Sequence, residues 1–397
     1  MKCISSLRMK AIDLNCECLG LLPIQLMENA GAVIAQHIRE KLESGRVLFI
    51  AGRGNNGGDA FVAARHLAGS LGYIVNVVLL GKSRDIGTKE ALRNFSLLKF
   101  SRVNMFEITD SSQLEASASE LFQEADLLVD AVFGTGISGK LREPESTVID
   151  LINLEGKAGK TVISIDIPSG LDPDGGDFEK AVHAGLTVTF HRMKIGLLSE
   201  KAKEYTGVIK VADIGICTDA EQYVGPGDLM MLRRRKSEEH KGDAGKILVI
   251  GGGPYSGAPS FAALAALKAG ADLVTVAVPA PVAEIVASYS PNLIVRKLSS
   301  NVLCPGDLSI LLDPISSHDV VVMGMGLGRA TETLETVRKI IPFCRKAVLD
   351  ADALSALSGT VFESIAGNCE LIVTPHAGEF ARLRNMETPE SLEARIK

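Results

Sequence analysis

Asp59, Asp130, Asp166 and Asp172 each stand at or just beyond the end of a short apolar run, among glycines, hydroxyls and amides. Carboxylates in such loops suit proton transfer or the binding of a hard cation, because small neighbours let a ligand approach them. In Val47-Leu-Phe-Ile-Ala-Gly-Arg-Gly-Asn-Asn-Gly-Gly-Asp59, the amides of Asn55 and Asn56 join Gly57, Gly58 and Asp59. Gly52, Gly54 and Gly57 also fit the G-x-G-x-x-G pattern that brings backbone close to a pyrophosphate at a helix N-terminus, with the helix expected over 59–71. A second run, Val129-Asp-Ala-Val-Phe-Gly-Thr-Gly136, carries Asp130 into a loop of small residues ending at Lys140. There Asp130 acts as a proton carrier, binds a cation, or caps a neighbouring turn. The third, Asp166-Ile-Pro-Ser-Gly-Leu-Asp172, supplies two carboxylates, the Ser169 hydroxyl and a proline-stiffened backbone. Oxygen donors of this kind favour a hard cation and not a transition metal.

Two further loops lie in the second half. Gly324-Met-Gly-Leu-Gly328 follows an apolar run and offers bare backbone to a phosphate-bearing ligand, while Thr374-Pro-His-Ala-Gly-Glu379 places His376 and Glu379 at a helix start. His376 there is either catalytic or structural. A nicotinamide dehydrogenase normally carries an acid about 20 positions beyond its glycines to hold the ribose hydroxyls. Here the second strand ends Val78-Leu-Leu-Gly81, and the next acid is Asp85, beyond the turn.

Loops at strand ends require strands to hold them. Strands are expected over 47–51, 74–80, 103–108, 127–133, 161–165, 186–190 and 208–212, with helices after Pro23 and over 88–98, 112–122 and 147–153. This alternation is the signature of βαβ units and a mostly parallel sheet, so the class is α/β. After Gly225-Pro-Gly227 and the basic run Arg233–Lys236 the alternation restarts, with strands expected over 246–250, 273–278, 320–323, 347–349 and 371–374 and a helix over 258–269. At 397 residues two domains are expected, 1–225 and 226–397.

Net charge is −6 with both signs interspersed, which argues against nucleic acid or a membrane surface as partner. Seven scattered cysteines without a C-x-x-C pair read as reduced thiols. No leader pattern and no apolar run of about 18 residues is present, so a cytoplasmic location is expected.

Taken together, Leu26-Met-Glu-Asn-Ala-Gly31, Gly54–Asp59, Asp130–Gly136 and Asp166–Asp172 resemble the NAD(P)H-hydrate epimerase domain. His240-Lys-Gly-Asp-Ala-Gly-Lys246, Gly251-Gly-Gly-Pro-Tyr-Ser-Gly-Ala-Pro259, Gly324–Gly328 and Thr374–Glu379 resemble the ribokinase-like NAD(P)H-hydrate dehydratase. The resemblance implies a Rossmann-like three-layer first domain that interconverts R and S hydrates, NADHX and NADPHX. It implies a second domain that dehydrates the S form with ADP or ATP, fused members typically using ADP. Carried onto this chain, Asn55, Asn56, Gly57, Gly58, Asp59, Gly134, Thr135, Gly136, Ile137, Ser138, Gly139, Lys140 and Asp166 would surround the hydrate. Asn56, Asp130 and Ser169 would hold potassium, with Asp130 the acid–base candidate, and Ala258, Gly326 and His376 would line the second site.

The chain departs from the family in two places. Its Gly-Thr-Gly-Asp motif, which supplies the dehydratase base, does not occur in these residues, so an incomplete second domain with impaired dehydration is expected. An incomplete α/β domain would leave a sheet edge and a helix-packing face uncovered, which invites self-association. Ala60 stands where glycine is usual, and a methyl there is expected to crowd the loop. A non-catalytic scaffold built on the same folds, as in mRNA decapping, is the alternative; it has no need of polar loops at three strand ends.

Overall fold

The computed structural model describes the chain except residues 1–2, 115–118, 137–140, 176–177, 233–239, 241, 243, 359–366, 386, 388–390 and 392–397. The chain forms two compact units, Met1–Arg233 and Arg234–Lys397.

In the first unit two helices, α1 (Ser6–Cys18) and α2 (Pro23–Lys41), precede the sheet. The Ser5 side chain caps α1 by accepting from Arg8 N, and Pro23 starts α2 where its missing N–H costs nothing. The sheet elements are β1 (Gly45–Ala51), α3 (Asn55–Ala68), β2 (Tyr73–Leu80), α4 (Lys89–Leu98) and β3 (Val103–Ile108). They continue with α5 (Ser119–Glu124), β4 (Leu127–Ala131), α6 (Glu145–Lys157), β5 (Thr161–Ile165), β6 (Leu186–Phe190) and β7 (Val208–Ala212).

The seven strands are parallel and ordered β3-β2-β1-β4-β5-β6-β7, so the winding reverses between β1 and β4. Val47 through Ala51 are all buried, as expected of a central strand covered on both faces. On one of those faces Phe61 of α3 meets Phe95 of α4 edge-on, with ring centroids 5.1 Å apart.

Three differences from expectation have physical causes. Helix α1, absent from the expected elements, is buried from several sides. The turn Pro226–Met231, placed by sequence in the second domain, packs on α1: a Cβ at Gly227 would lie 1.9 Å from Ala11 O, and Asn15 and Arg8 both bond Asp228. The first unit therefore runs past residue 225. Helix α3 starts at Asn55, four residues before Asp59, because its first turn is closely packed: a Cβ at Gly57 would lie 2.0 Å from Gly52 O. Ala60 in this helix is fully buried in the apolar core.

The second unit holds β8 (Lys246–Ile250), α7 (Gly257–Lys268), β9 (Leu273–Val278), α8 (Ala283–Tyr289), β10 (Ile294–Lys297) and α9 (Leu308–Ser317). It continues with β11 (Val320–Met323), α10 (Thr331–Ile340), β12 (Lys346–Leu349), β13 (Glu370–Val373) and α11 (Ala377–Arg384). Its six parallel strands are ordered β10-β9-β8-β11-β12-β13, reversing between β8 and β11. β13 forms one edge of the described sheet, with Ile372 exposed. Among the described residues no single helix is long and apolar enough to cross a membrane.

Candidate functional site

Ligands of open parallel sheets settle at the carboxyl ends of the strands where the winding reverses. In the first unit that crevice lies between the loops after β1 and β4. A Cβ at Gly52 would lie only 2.0 Å from Val132 O, so glycine is required for the two loops to meet. A cavity of about 540 Å³ opens there, large enough for much of a nucleotide-sized ligand. Asn55, Asn56, Asp59, Gly134, Thr135, Gly136 and Asp166 line it, so three separate loops converge as expected. Gly57 and Gly58 do not line it; they face Gly52 and Met27 and let α3 pack. Ile137, Ser138, Gly139 and Lys140 lie outside the described residues.

Two groups on the cavity wall were not singled out in the sequence: Asp13 of α1 and Lys194, just beyond β6. The Lys194 ammonium is buried, 2.5 Å from Asp166 Oδ1, and donates to Phe190 O at 2.9 Å. Asp166 also accepts from Thr189 Oγ1 at 3.1 Å, and its backbone sits at φ +65°, a conformation costly for a non-glycine residue. Burial pushes the Asp13 carboxyl up to about 6, with Lys194 opposing and the Asp166 charge adding. Burial likewise drives Asp59 well above the usual carboxylate range, and the charges of Asp166 and Asp13 push the same way. Three carboxylates thus share one ammonium, and like charges around one site do not all ionise together near neutrality. The cluster combines an ion-paired carboxylate with acids whose proton affinity burial raises, the arrangement that general acid–base chemistry needs.

Asp130, expected as the acid–base residue, does not line this cavity. It is fully buried, and among the described residues every donor to it is neutral: Ser169 Oγ at 2.5 Å and Val132 N at 3.4 Å to Oδ1, Ser164 Oγ and Ser169 N, both at 2.8 Å, to Oδ2. Burial raises its pKa while these bonds oppose the rise. Of these two carboxylates, Asp166 lines the cavity. Asn56 donates from Nδ2 to Phe133 O at 2.9 Å, and Ser169 Oγ accepts from Phe133 N at 2.9 Å, so Asn56, Asp130 and Ser169 form one oxygen-rich cluster behind the cavity wall.

In the second unit Gly326 and Ala258 are brought together: a Cβ at Gly326 would lie 3.6 Å from that of Ala258. His376 is exposed and engaged with its own helix. Its Nδ1 accepts from Gly378 N at 3.1 Å, and its own N–H donates to Glu379 Oε2 at 3.0 Å.

A glycine-lined crevice at the winding reversal, floored by acid–base side chains, defines an α/β enzyme that acts on a nucleotide-like ligand. Two family models divide the chain between them: YjeF-related protein N-terminus over residues 23–196, and NAD(P)H-hydrate dehydratase over 247–394. A bifunctional NAD(P)H-hydrate repair enzyme of Archaeoglobus fulgidus is 45% identical over 383 residues, covering 96% of this chain and 76% of that protein. Those of Pyrobaculum aerophilum and Methanothermobacter thermautotrophicus are 42% and 44% identical, covering 100% and 94% of this chain and 78% and 71% of theirs. The chain belongs to the bifunctional NAD(P)H-hydrate repair enzymes.

Proposed function

We propose that the first unit epimerises NADHX and NADPHX by general acid–base catalysis, with Asp166 as base and Asp59 as acid. The observation that carries this reading is the Asp166–Lys194 ion pair beside Asp59 and Asp13, whose proton affinities burial raises, in one crevice. A nicotinamide hydrate bears its hydroxyl on a ring carbon next to nitrogen. Asp59 gives its proton to that hydroxyl, the C–O bond breaks, water leaves, and the nitrogen lone pair forms the C=N bond of a planar iminium. Water then adds to the opposite face as Asp166 takes its proton, which inverts the carbon. Passage of that proton back to Asp59 through the coupled carboxylates resets the site.

Asn56, Asp130 and Ser169 would hold potassium. The fit rests on charge: among the described residues Asp130 is a buried carboxylate with neutral partners, and a monovalent cation beside it would supply compensation. Bound there, the cation would supply positive potential behind the crevice for an anionic ligand. For the second unit, we place the hydrate over Ala258 and Gly326 and take ADP or ATP as co-substrate.

Chromatographic separation of R and S NADHX, with purified protein and with or without potassium, tests the reading. Enzyme-dependent interconversion supports it; its absence in folded protein would move the scaffold alternative ahead.

A further inference from the structure

Beyond the catalytic crevice, a second cavity of about 650 Å³ opens at the end of β2. Arg53, Phe133, Gly136 and Glu145 line both cavities, so the two are one continuous cleft. The outer part carries Arg53, Lys82, Arg84 and Arg142. Facing them, Asp85 lies 3.8 Å from Arg84 and Glu145 lies 3.8 Å from Arg53. Glu143 is turned to the hydroxyls of Ser111 and Thr147, at 2.7 and 2.6 Å, which hold its carboxyl below the ordinary range. Among the described residues the side chains of Lys82 and Arg142 have no hydrogen bond or ion pair, and both are exposed. The Arg53 stem lies across Gly81, where a Cβ would stand 2.6 Å from Arg53 Cδ, so the glycine at φ +121° makes room for that cation over the strand end.

The end of the second strand in this winding order is where dinucleotide-binding sheets hold the adenosine ribose, an acid serving the free 2′-hydroxyl and a basic group the 2′-phosphate. Here the chain runs Leu80-Gly-Lys-Ser-Arg84, with cations where the acid would stand. We propose that Lys82 and Arg84, with Arg53 beside them, form a subsite for the 2′-phosphate monoester, so that the first unit favours NADPHX over NADHX. This rests on the epimerase reading of the same cleft.

The test compares full-length wild type with Lys82→Ala/Arg84→Ala in the epimerase assay on each hydrate, with circular dichroism confirming the fold. KM for NADPHX should rise about tenfold while KM for NADHX changes less than about twofold, the size expected for losing charge-assisted bonds to one group. Equal losses on both substrates would assign the cations to the diphosphate common to both and overturn the proposal, as would no loss on either. Calorimetric titration with 2′-phospho-ADP-ribose and ADP-ribose reads the same subsite without turnover. Tighter binding of the phosphorylated probe, abolished in the variant, supports the subsite even if neither hydrate is turned over; equal binding of the two probes by wild type refutes it.

Discussion

In the first unit the loops after β1, β4 and β5 bury carboxylates against neutral donors and one ammonium. In the second, the loops after β8 and β11 are glycine-rich, and the carboxylates beyond β12 bond to groups beyond β11 and β13. Asp352 accepts from Gly328 N and Arg329 Nε, both at 3.0 Å, and Thr374 Oγ1 donates to Asp350 at 2.9 Å. Both sheets wind in one order, so the difference lies in the loops and not in the architecture. The first unit carries its own proton donors and acceptors, set by burial. The second presents bare backbone that suits a phosphate-bearing ligand.

The sharpest break in that comparison is Asp166→Asn. It removes the base and the Lys194 partner together, so the epimerisation rate should fall about 10³-fold, in the range for a lost acid–base group. The second unit's unfolding transition should not move. Retained activity in the R-to-S assay would return the base role to another carboxylate.

Asp130→Asn probes the wall behind the cavity. The amide keeps the side chain's shape and loses its charge, so potassium activation should weaken roughly tenfold or more while the chemistry survives in part. A potassium titration of both activity and melting temperature reads this. Unchanged potassium response would remove Asp130 from the cation site.

Asp13→Asn tests the crowding of charge. Its folded pKa of about 6 lies above the ordinary 3.8, so the folded state holds the proton more tightly, and the associated stability is present below pH 4 and lost as pH rises through about 6. Removing the titrating group should therefore stabilise the first unit by ~3 kcal/mol at pH 7 and by well under ~1 kcal/mol at pH 4. Equal effects at both pH values would mean that packing, not charge, is responsible.

These side chains differ in how readily the sequence shows them. The strands Val103–Ile108, Thr161–Ile165, Leu186–Phe190 and Val208–Ala212 are legible to the residue, the inner two as buried β-branched and apolar runs and the two edge strands as short β-branched or apolar runs broken by Asn104, Glu107 and Lys210. The strand-end loops are legible with them, Asp59 and Asp166 included. Helix α1 is not. Its buried residues, Ser6, Met9, Ala11, Ile12, Asn15 and Cys16, fall on no single stripe, since one side meets Pro226–Met231 and another the cavity. Asp13 was lost with its helix, and Lys194 because 28 residues separate it from Asp166, so only the sheet's winding reveals the pair. Asp130 was visible, but a sequence marks a carboxylate near a strand end without showing whether it faces the crevice or the neutral donors behind it.

His376 offers the smallest effect and the cleanest contrast with Asp166, because both lie just after a strand beside a glycine-bearing loop. Asp166 is buried and paired to a cation, whereas the His376 side chain is 69% exposed and accepts a bond from Gly378 in its own helix. A surface cap of this kind contributes typically ~1 kcal/mol or less. His376→Ala should therefore lower the second unit's stability by no more than that in urea, and leave epimerisation untouched. A larger loss of stability would mean that the His376 side chain holds β13 and α11 together and is no mere surface cap, which removes its contrast with Asp166.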